Sequence, residues 1–354
     1  MALALIANGS KRRDQIIAFD LGSRTTKAVH LQRRGEGFAL KAYTILDAPI
    51  FEKTLSAELL ADHLKAVANS LNSPTKHSVL IIGINDSILR HAELPMIPVS
   101  DMRLMLKFNS KNYLQQELPD HVYDCQVLPP KASATGEAVS KAGQKARVLV
   151  GGAKKQVLDD LQTATRAAGL NAIHVTPSQI GTANAFEMAE PELFQKEVIA
   201  LVDLGFKNST ISILNQGELA LSRVVAIGGD KLTGSLAETL NVSYAEAEGI
   251  KVGLPEEIQS AMQALLMPLG RELRASLDFF EHQQDKTVSQ VFISGGSARS
   301  PFIIENLQTE LMIQCKGWNP VSSFALELSP QQIGEIESVA PQLAIAVGGA
   351  MAAF

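Results

Sequence analysis

One pattern is written twice in this chain of 354 residues. Near the start an apolar run reaches Asp20, Leu21 and Gly22, passes Ser23, Arg24, Thr25, Thr26 and Lys27, and continues as a second apolar run towards Gly35 and Glu36. Near the middle an apolar run reaches Asp203, Leu204 and Gly205, passes Ser209 and Thr210, and continues towards Gly217 and Glu218. Both copies read as strand, turn, strand, turn. Two copies of one hairpin imply two related domains facing each other. The repeated Asp and Gly place a phosphorylated ligand and a metal in the gap between them.

Composition agrees with that size of fold. The length suits roughly two domains. A hydrophobic content of 46% and a charged content of 19% are globular values. A net charge of −5 gives no support for a broad nucleic-acid-binding face. The clusters Lys11, Arg12, Arg13 and Arg33, Arg34 are short and read as solvated surface. Cys125 and Cys315 stand far apart with no ligand spacing around them, which argues against a disulfide scaffold or structural zinc and suits a reducing compartment. Residues 1–13 carry their charges after the apolar residues, the reverse of a secretory signal, so a flexible N-terminal arm is expected. No run reaches the roughly 18 apolar residues of a membrane span. The last run, 339–354, is interrupted by Pro341 and Gln342 and reads as a packed terminal helix. A cytoplasmic protein is expected.

Strands are expected at 15–19, 28–32, 38–45 and 78–84, with a turn-rich break at 47–51 and a helix at 56–71, the opening order of an RNase-H-type domain. Pro95 and Pro98 mark a boundary. Ser100 is placed to cap a helix over 101–116. A strand at 122–128, a loop at 129–145, a strand at 146–151, a helix at 155–168 and a strand at 169–175 complete an α/β block. The second hairpin follows, then Gly228 and Gly229 before a helix at 230–240, a helical region to about 284, and a strand running into Gly295, Gly296 and Ser297.

Glycine at a strand-to-turn junction lets backbone N–H groups approach phosphate oxygens closely. Asp20 and Asp203 would hold a hydrated magnesium ion from opposite sides, since Mg²⁺ takes one or two carboxylates plus waters and phosphates. The patterns of a P-loop and of a dinucleotide fingerprint are both absent. Glu248 and Lys251 lie three apart on one helix face, either as ligand contacts or as an ordinary surface ion pair.

These motifs, in this order, resemble the actin-like ATPase superfamily. The resemblance implies an α/β chain with the actin-like ATPase fold: two RNase-H-type lobes with a 1C-type α/β insertion. It implies ATP and Mg²⁺ as cofactors, with 20–27 and 203–210 as the two phosphate motifs, 293–297 as the adenosine motif, and Glu248 and Lys251 touching ribose and adenine. The implied contact set is Asp20, Gly22, Ser23, Arg24, Thr25, Thr26, Lys27, Asp203, Gly205, Ser209, Gly228, Gly229, Glu248, Lys251, Gly295, Gly296 and Ser297.

An insertion lying before the second phosphate motif, with Tyr113, Pro119, Tyr123, Asp124 and the glycines at 151 and 152, resembles the PilM-like type IV pilus assembly family. The expected partition is 1–13 as the arm; 14–94 with 176–196 and 339–354 as lobe 1 (1A); 95–175 as the insertion (1C); 197–228 with 286–338 as lobe 2 (2A); and 229–285 as a helical subdomain (2B). The resemblance implies an adaptor recruited to the inner face of the inner membrane by the cytoplasmic N-terminal peptide of a PilN-like single-span membrane protein. Met102, Met105, Leu106 and Phe108 would line the peptide groove, or else fill the insertion's own core. A residue that would position water for ATP hydrolysis is not evident. The alternatives are a filament-forming FtsA-like ATPase and a sugar kinase-like phosphotransferase.

Overall fold

The structure, a computed structural model, describes residues 1, 3–7, 13–50, 55–129 and 145–354. Strand β1 (Ile6–Ala7) precedes the first hairpin, β2 (Gln15–Leu21) and β3 (Thr25–Arg34), followed by β4 (Gly37–Asp47), α1 (Ala57–Leu71) and β5 (His77–Ile82). Then come β6 (Ser87–Pro95), α2 (Val99–Leu114), β7 (His121–Val127), β8 (Lys145–Lys154), α3 (Lys155–Ala167), β9 (Asn171–Pro177), α4 (Ser178–Ala189) and α5 (Pro191–Lys196). The second hairpin is β10 (Val198–Leu204) and β11 (Ser209–Asn215), extended by β12 (Glu218–Val225). Helices α6 (Gly229–Leu240), α7 (Tyr244–Gly253) and α8 (Glu256–Gln284) follow without an intervening strand. The chain closes with β13 (Gln290–Gly295), α9 (Pro301–Leu311), β14 (Cys315–Gly317), β15 (Ala325–Leu326), α10 (Pro330–Val339) and α11 (Ala344–Met351).

The repeat in sequence is a repeat in topology. Lobe 1 is a seven-stranded sheet ordered β1-β9-β5-β2-β3-β4-β15, and lobe 2 a five-stranded sheet ordered β12-β11-β10-β13-β14. In each, the strand that carries the aspartate pairs antiparallel with its hairpin partner on one side and parallel with a later strand on the other.

Alternation along the strands decides which lobe face meets which helices. Ile17 and Phe19 point to the side covered by α1 and α3, joining Leu64, Leu80 and Leu161. Ile16 and Ala18 point the other way, joining Ile180 and Phe186 of α4 and Val347 of α11. In β10, Ala200 and Val202 pack with Leu273, Leu277 and Ile303 on the helical side. Ile199 and Leu201 instead join the same core as Ile16 and Ala18. The two lobes therefore share one continuous core, where Phe186 meets Phe292 at 4.6 Å and Trp318 at 5.2 Å between ring centroids. Helix α1 is oriented by its cap, with Ser56 Oγ accepting from the Leu59 N–H at 3.1 Å, and by its buried stripe Leu60, Leu64, Val67 and Leu71.

Helices α4 and α11 cross with their backbones in contact. A Cβ on Gly348 would lie 1.7 Å from the Gly181 carbonyl oxygen, so no side chain fits at that point. Asn184 Nδ2 donates to the Gly348 carbonyl at 3.3 Å beside the crossing.

Several boundaries differ from the sequence reading. The insertion starts at β6, not at 95: β6, β8 and β7 form their own three-stranded antiparallel sheet. Helix α3 and strand β9 belong to lobe 1, where β9 pairs with β5. Strand β15 pairs with β4, and Gln332 Nε2 of α10 donates to the Tyr43 carbonyl at 2.8 Å, so residues from about 325 also lie on lobe 1. Ser100 does not cap α2; the residue before the helix is Pro98, and Ser100 Oγ donates to Asp101 Oδ1 at 3.3 Å. The expected arm is packed wherever it is described: Leu3 and Leu5 are buried and β1 pairs with β9. Lys11, Arg12, Phe51 and most of the 129–145 loop lie outside the described residues.

Candidate functional site

The alternation that builds the core also builds the site. Asp20 continues the Ile16, Ala18 series and Asp203 the Ile199, Leu201 series, so both carboxylates project from the inner faces of the two lobes. Across lobe 1 the row is Lys27, Asp20, Ile81, Thr176; across lobe 2 it is Thr210, Asp203, Ser294.

Lys27 Nζ stands 3.6 Å from Asp20 Oδ2, and Ser294 Oγ donates to Asp203 Oδ1 at 3.2 Å. Burial pushes Asp20 above the usual carboxylate range, with Lys27 pulling the other way. Burial likewise pushes Asp203 up to about 6, opposed by Lys27 and helped by the Asp20 charge. Two desolvated carboxylates sharing one lysine are short of positive charge, which a divalent cation would supply. Two carboxylates leave most of such a cation's coordination to water and phosphate oxygens; among the described residues no cluster of three metal-ligating side chains occurs.

The second turn is locked against α6. Gly229 N–H donates to the Gly205 carbonyl at 3.0 Å and Asp230 N–H to the Phe206 carbonyl at 2.9 Å. These two donors are engaged in tying the turn to the helix, so of the expected contact residue Gly229 the amide is already used. A Cβ on Gly228 would sit 2.3 Å from the Phe206 oxygen and 2.7 Å from that of Gly205, so only glycine allows the approach. Gly22 lies beside the Lys27 ammonium, and Gly295 takes φ +90° as β13 enters a short 3₁₀ turn carrying Gly296 and Ser297.

Glu248 and Lys251 join this arrangement rather than lying on the outer surface. Lys251 Nζ donates at 2.7 Å to both Glu248 Oε2 and Thr233 Oγ1, and Thr233 Oγ1 donates to Glu248 Oε2 at 2.5 Å. The position of a Gly229 Cβ lies 3.7 Å from both Lys251 Nζ and Ser297 Oγ, which brings the three expected adenosine-side groups together. Burial opposes ionisation of Glu248, but hydrogen bonds from Lys251 and Thr233 hold it below its ordinary value. Arg24 reaches across from lobe 1: its guanidinium lies 5.0 Å from the Phe206 ring centroid and 3.9 Å from Glu248 Oε1. Ser23 is exposed beside it and Thr25 is half-buried, in line with Lys27.

Other expected residues do not face the cleft. Thr26 is buried on the α1 side, where His63 Nε2 lies 2.8 Å from its Oγ1. Ser209 is buried on the helical side of lobe 2 and donates to the Ile227 carbonyl at 2.6 Å. Thr210, paired with Asp203, holds the cleft-facing position instead. Met102 and Leu106 are buried with Leu94, Tyr123 and Val148 in the insertion's own core, which takes them out of a peptide groove; Met105 packs partly against that core and Phe108 is exposed. Thr210 and Ser294 lie within the two named motifs but outside the expected contact set, and sequence reasoning missed Thr233 and Thr176. The last carries a buried hydroxyl with no hydrogen-bond partner among the described residues. Two hollows lie elsewhere, one of about 860 Å³ beside His30, Lys41 and Gln332 and one of about 510 Å³ beside Lys196 and Lys286. Neither is lined by Asp20, Lys27, Asp203 or the glycine turns, and neither gathers buried carboxylates, so the cleft is the better site.

Twin meander sheets with an acidic residue on each inner face define an actin-like ATPase fold. Solved structures carry the same fold. That of a PilM-PilN type IV pilus biogenesis complex superposes with a TM-score of 0.82 at 21% identity, over 97% of this chain and 100% of that one. MreB5 of Spiroplasma citri bound to ADP gives 0.53 at 10% identity over 94% of each chain. Ethanolamine utilization protein EutJ of Escherichia coli (strain K12) is 26% identical over 139 residues, 39% of this chain and 45% of EutJ. The chain spans less than half the length of the curated relatives it matches. The family itself is shown by a match over residues 18–354: the chain belongs to the type IV pilus assembly protein PilM family. Among the described residues, no helix is long and apolar enough to cross a membrane.

Proposed function

We propose that this chain is an adaptor of type IV pilus assembly that binds ATP with Mg²⁺ between its lobes and holds the N-terminal peptide of a PilN-like membrane protein against its insertion. The observation that carries the nucleotide half is the pair of rows that set Asp20, Lys27, Asp203 and Ser294 facing one another across the cleft. Asp20 and Asp203 would hold the hydrated cation, the glycine turns the phosphates, and Glu248, Lys251 and Ser297 the nucleoside. Mg²⁺ would supply the positive charge that the two desolvated carboxylates lack. The arrangement suits binding and lobe closure: Arg24 already spans from one lobe to Phe206 and Glu248 of the other, so a ligand that reorganises this contact biases the lobe angle.

The partner half rests on family membership and on the PilM-PilN complex sharing the fold. Recruitment to the inner face of the inner membrane would follow from that partner. The test is a titration of a fluorescent ATP analogue with Mg²⁺, and of a labelled PilN-like N-terminal peptide with and without nucleotide. Saturable nucleotide binding that Asp20→Ala abolishes supports the reading. Binding unchanged by Asp20→Ala, or no peptide binding in either state, overturns the corresponding half.

A further inference from the structure

The short segment before the first repeat is built into a seam. Leu3 is 0% and Leu5 6% exposed. Leu3 belongs to the core shared with Leu149, Ile180 and Phe186, while Leu5 packs in the one that holds Ala153, Leu158 and Val175. A Cβ on Gly151 of β8 would lie 3.3 Å from Leu3 Cδ1 and 3.7 Å from Pro177 Cγ, so the leucine is seated where the insertion meets the end of β9. Strand β1 adds to the free edge of the lobe 1 sheet, with Ile6 opposite Val175 and Ala7 opposite His174.

The polar contacts of residues 3–7 all use their main chain. Ala4 N–H donates to Asp124 Oδ2 at 2.7 Å and Leu5 N–H to the Val175 carbonyl at 2.9 Å, and His174 Nε2 lies 3.0 Å from the Leu3 carbonyl. Burial pushes the His174 imidazole below its usual value, which keeps it neutral with Nε2–H as the donor to that carbonyl. Asp124 is itself oriented by Arg103 Nε at 2.9 Å and the Cys125 N–H at 2.8 Å. Recognition thus consists of a sheet edge, one buried carboxylate, one imidazole and two leucine pockets. This is the pattern by which an extended peptide adds to a sheet, with main-chain bonds giving affinity and alternate side chains giving specificity. Nothing in it is peculiar to this stretch of chain beyond leucines at positions i and i+2.

We propose that residues 3–7 are an exchangeable occupant of the seam between lobe 1 and the insertion, displaced by an extended apolar peptide of a partner protein that carries leucines at alternate positions. This rests on the reading above that the insertion receives a partner peptide, and gives that site a competitor within the same chain. Because the competitor is tethered, it acts at a high effective concentration, and the partner must outbid it. Release of the segment would also free Asp124 and His174 to bond the incoming main chain.

The test compares the full chain with a variant lacking residues 1–12, using as probe a fluorescein-labelled peptide of the sequence of residues 1–8. Anisotropy should show binding at least tenfold tighter to the shortened chain, and none for a control peptide with both leucines replaced by aspartate. Equal binding to both chains, or no binding to a shortened chain that still unfolds cooperatively, overturns the proposal. Should the deletion prevent folding, the full chain carrying Leu3→Asp and Leu5→Asp takes its place with the same criteria. Hydrogen exchange on the unaltered chain gives a second readout: the Leu5 amide should exchange at least tenfold faster than the amides of β2, and equal rates overturn exchangeability. A dimer that deletion of the segment abolishes would assign the seam to a second copy and overturn the proposal. A PilN-like peptide that binds both chains equally would overturn the competition and leave the partner reading standing. Exchange of the chain's own segment with no PilN-like binding would do the reverse.

Discussion

Asp203→Asn should make the protein more stable while removing its ligand response. Asp203 is ionised with difficulty in the folded chain, its value pushed from 3.8 up to about 6 by burial. The folded state therefore binds more protons than the unfolded state between those two values, and stability falls as pH rises through that window. At pH 7 the difference corresponds to a cost of about 3 kcal/mol, and at pH 5 to roughly half of that. An asparagine amide carries no charge to desolvate, and its oxygen still accepts from Ser294. At roughly 2.1 cal/mol/K per residue, recovering the whole cost over 354 residues raises the midpoint by about 4 °C. Circular-dichroism melts of both proteins at pH 7 and pH 5 measure this. The variant should melt higher at pH 7, by a margin that roughly halves at pH 5. Adding ATP and Mg²⁺ should raise the midpoint of the native chain only. A variant that melts lower at pH 7, or a margin that ignores pH, would refute the view that this carboxylate is held at a cost.

Other perturbations separate the parts of the site. Gly228→Ala drives a methyl into the Phe206 and Gly205 carbonyls, which cannot move as a side-chain end could; nucleotide binding should fall at least tenfold in a fluorescence titration. Phe186→Ala opens the core shared by the lobes beside Phe292 and Trp318 and should cost about 3–5 kcal/mol in urea unfolding. Cys125 and Cys315 are buried, and burial pushes both thiols up to about 12, with the Asp124 charge adding to the shift at Cys125. Neither should react with a thiol reagent at pH 7.5 until denaturant is added.

The parts of the fold that are local were legible in the sequence. The hairpin pattern around Asp20 and Asp203 fixes strand order, and alternation along β2 and β10 places both carboxylates inward. Alternation would also have corrected two residues, because Thr26 shares parity with Ala28, and Ser209 with Ile211, on the outer faces of their lobes. What could not be read depends on partners distant in sequence. Strand β6 carries Arg90, His91 and Glu93 and ends at Pro95, so its pattern announces no strand; it becomes one because β8 pairs with it along its whole length. Nothing local tells β9 to join β5 rather than the insertion. The stretch before the first repeat gives no sign that Asp124 and Val175 await its backbone.

The crossing of α4 and α11 limits how this molecule can move. With the Gly348 Cα face pressed on the Gly181 carbonyl, the helices have no slack to separate or slide at that point. They can only turn about it, like two rods sharing a bearing. Asn184 holds that bearing with one amide proton and the carbonyl of Met1 with the other, at 3.3 and 2.9 Å. The segment that fills the seam is thereby tied, through Met1 and Asn184, to the point where the two glycines let the helices touch.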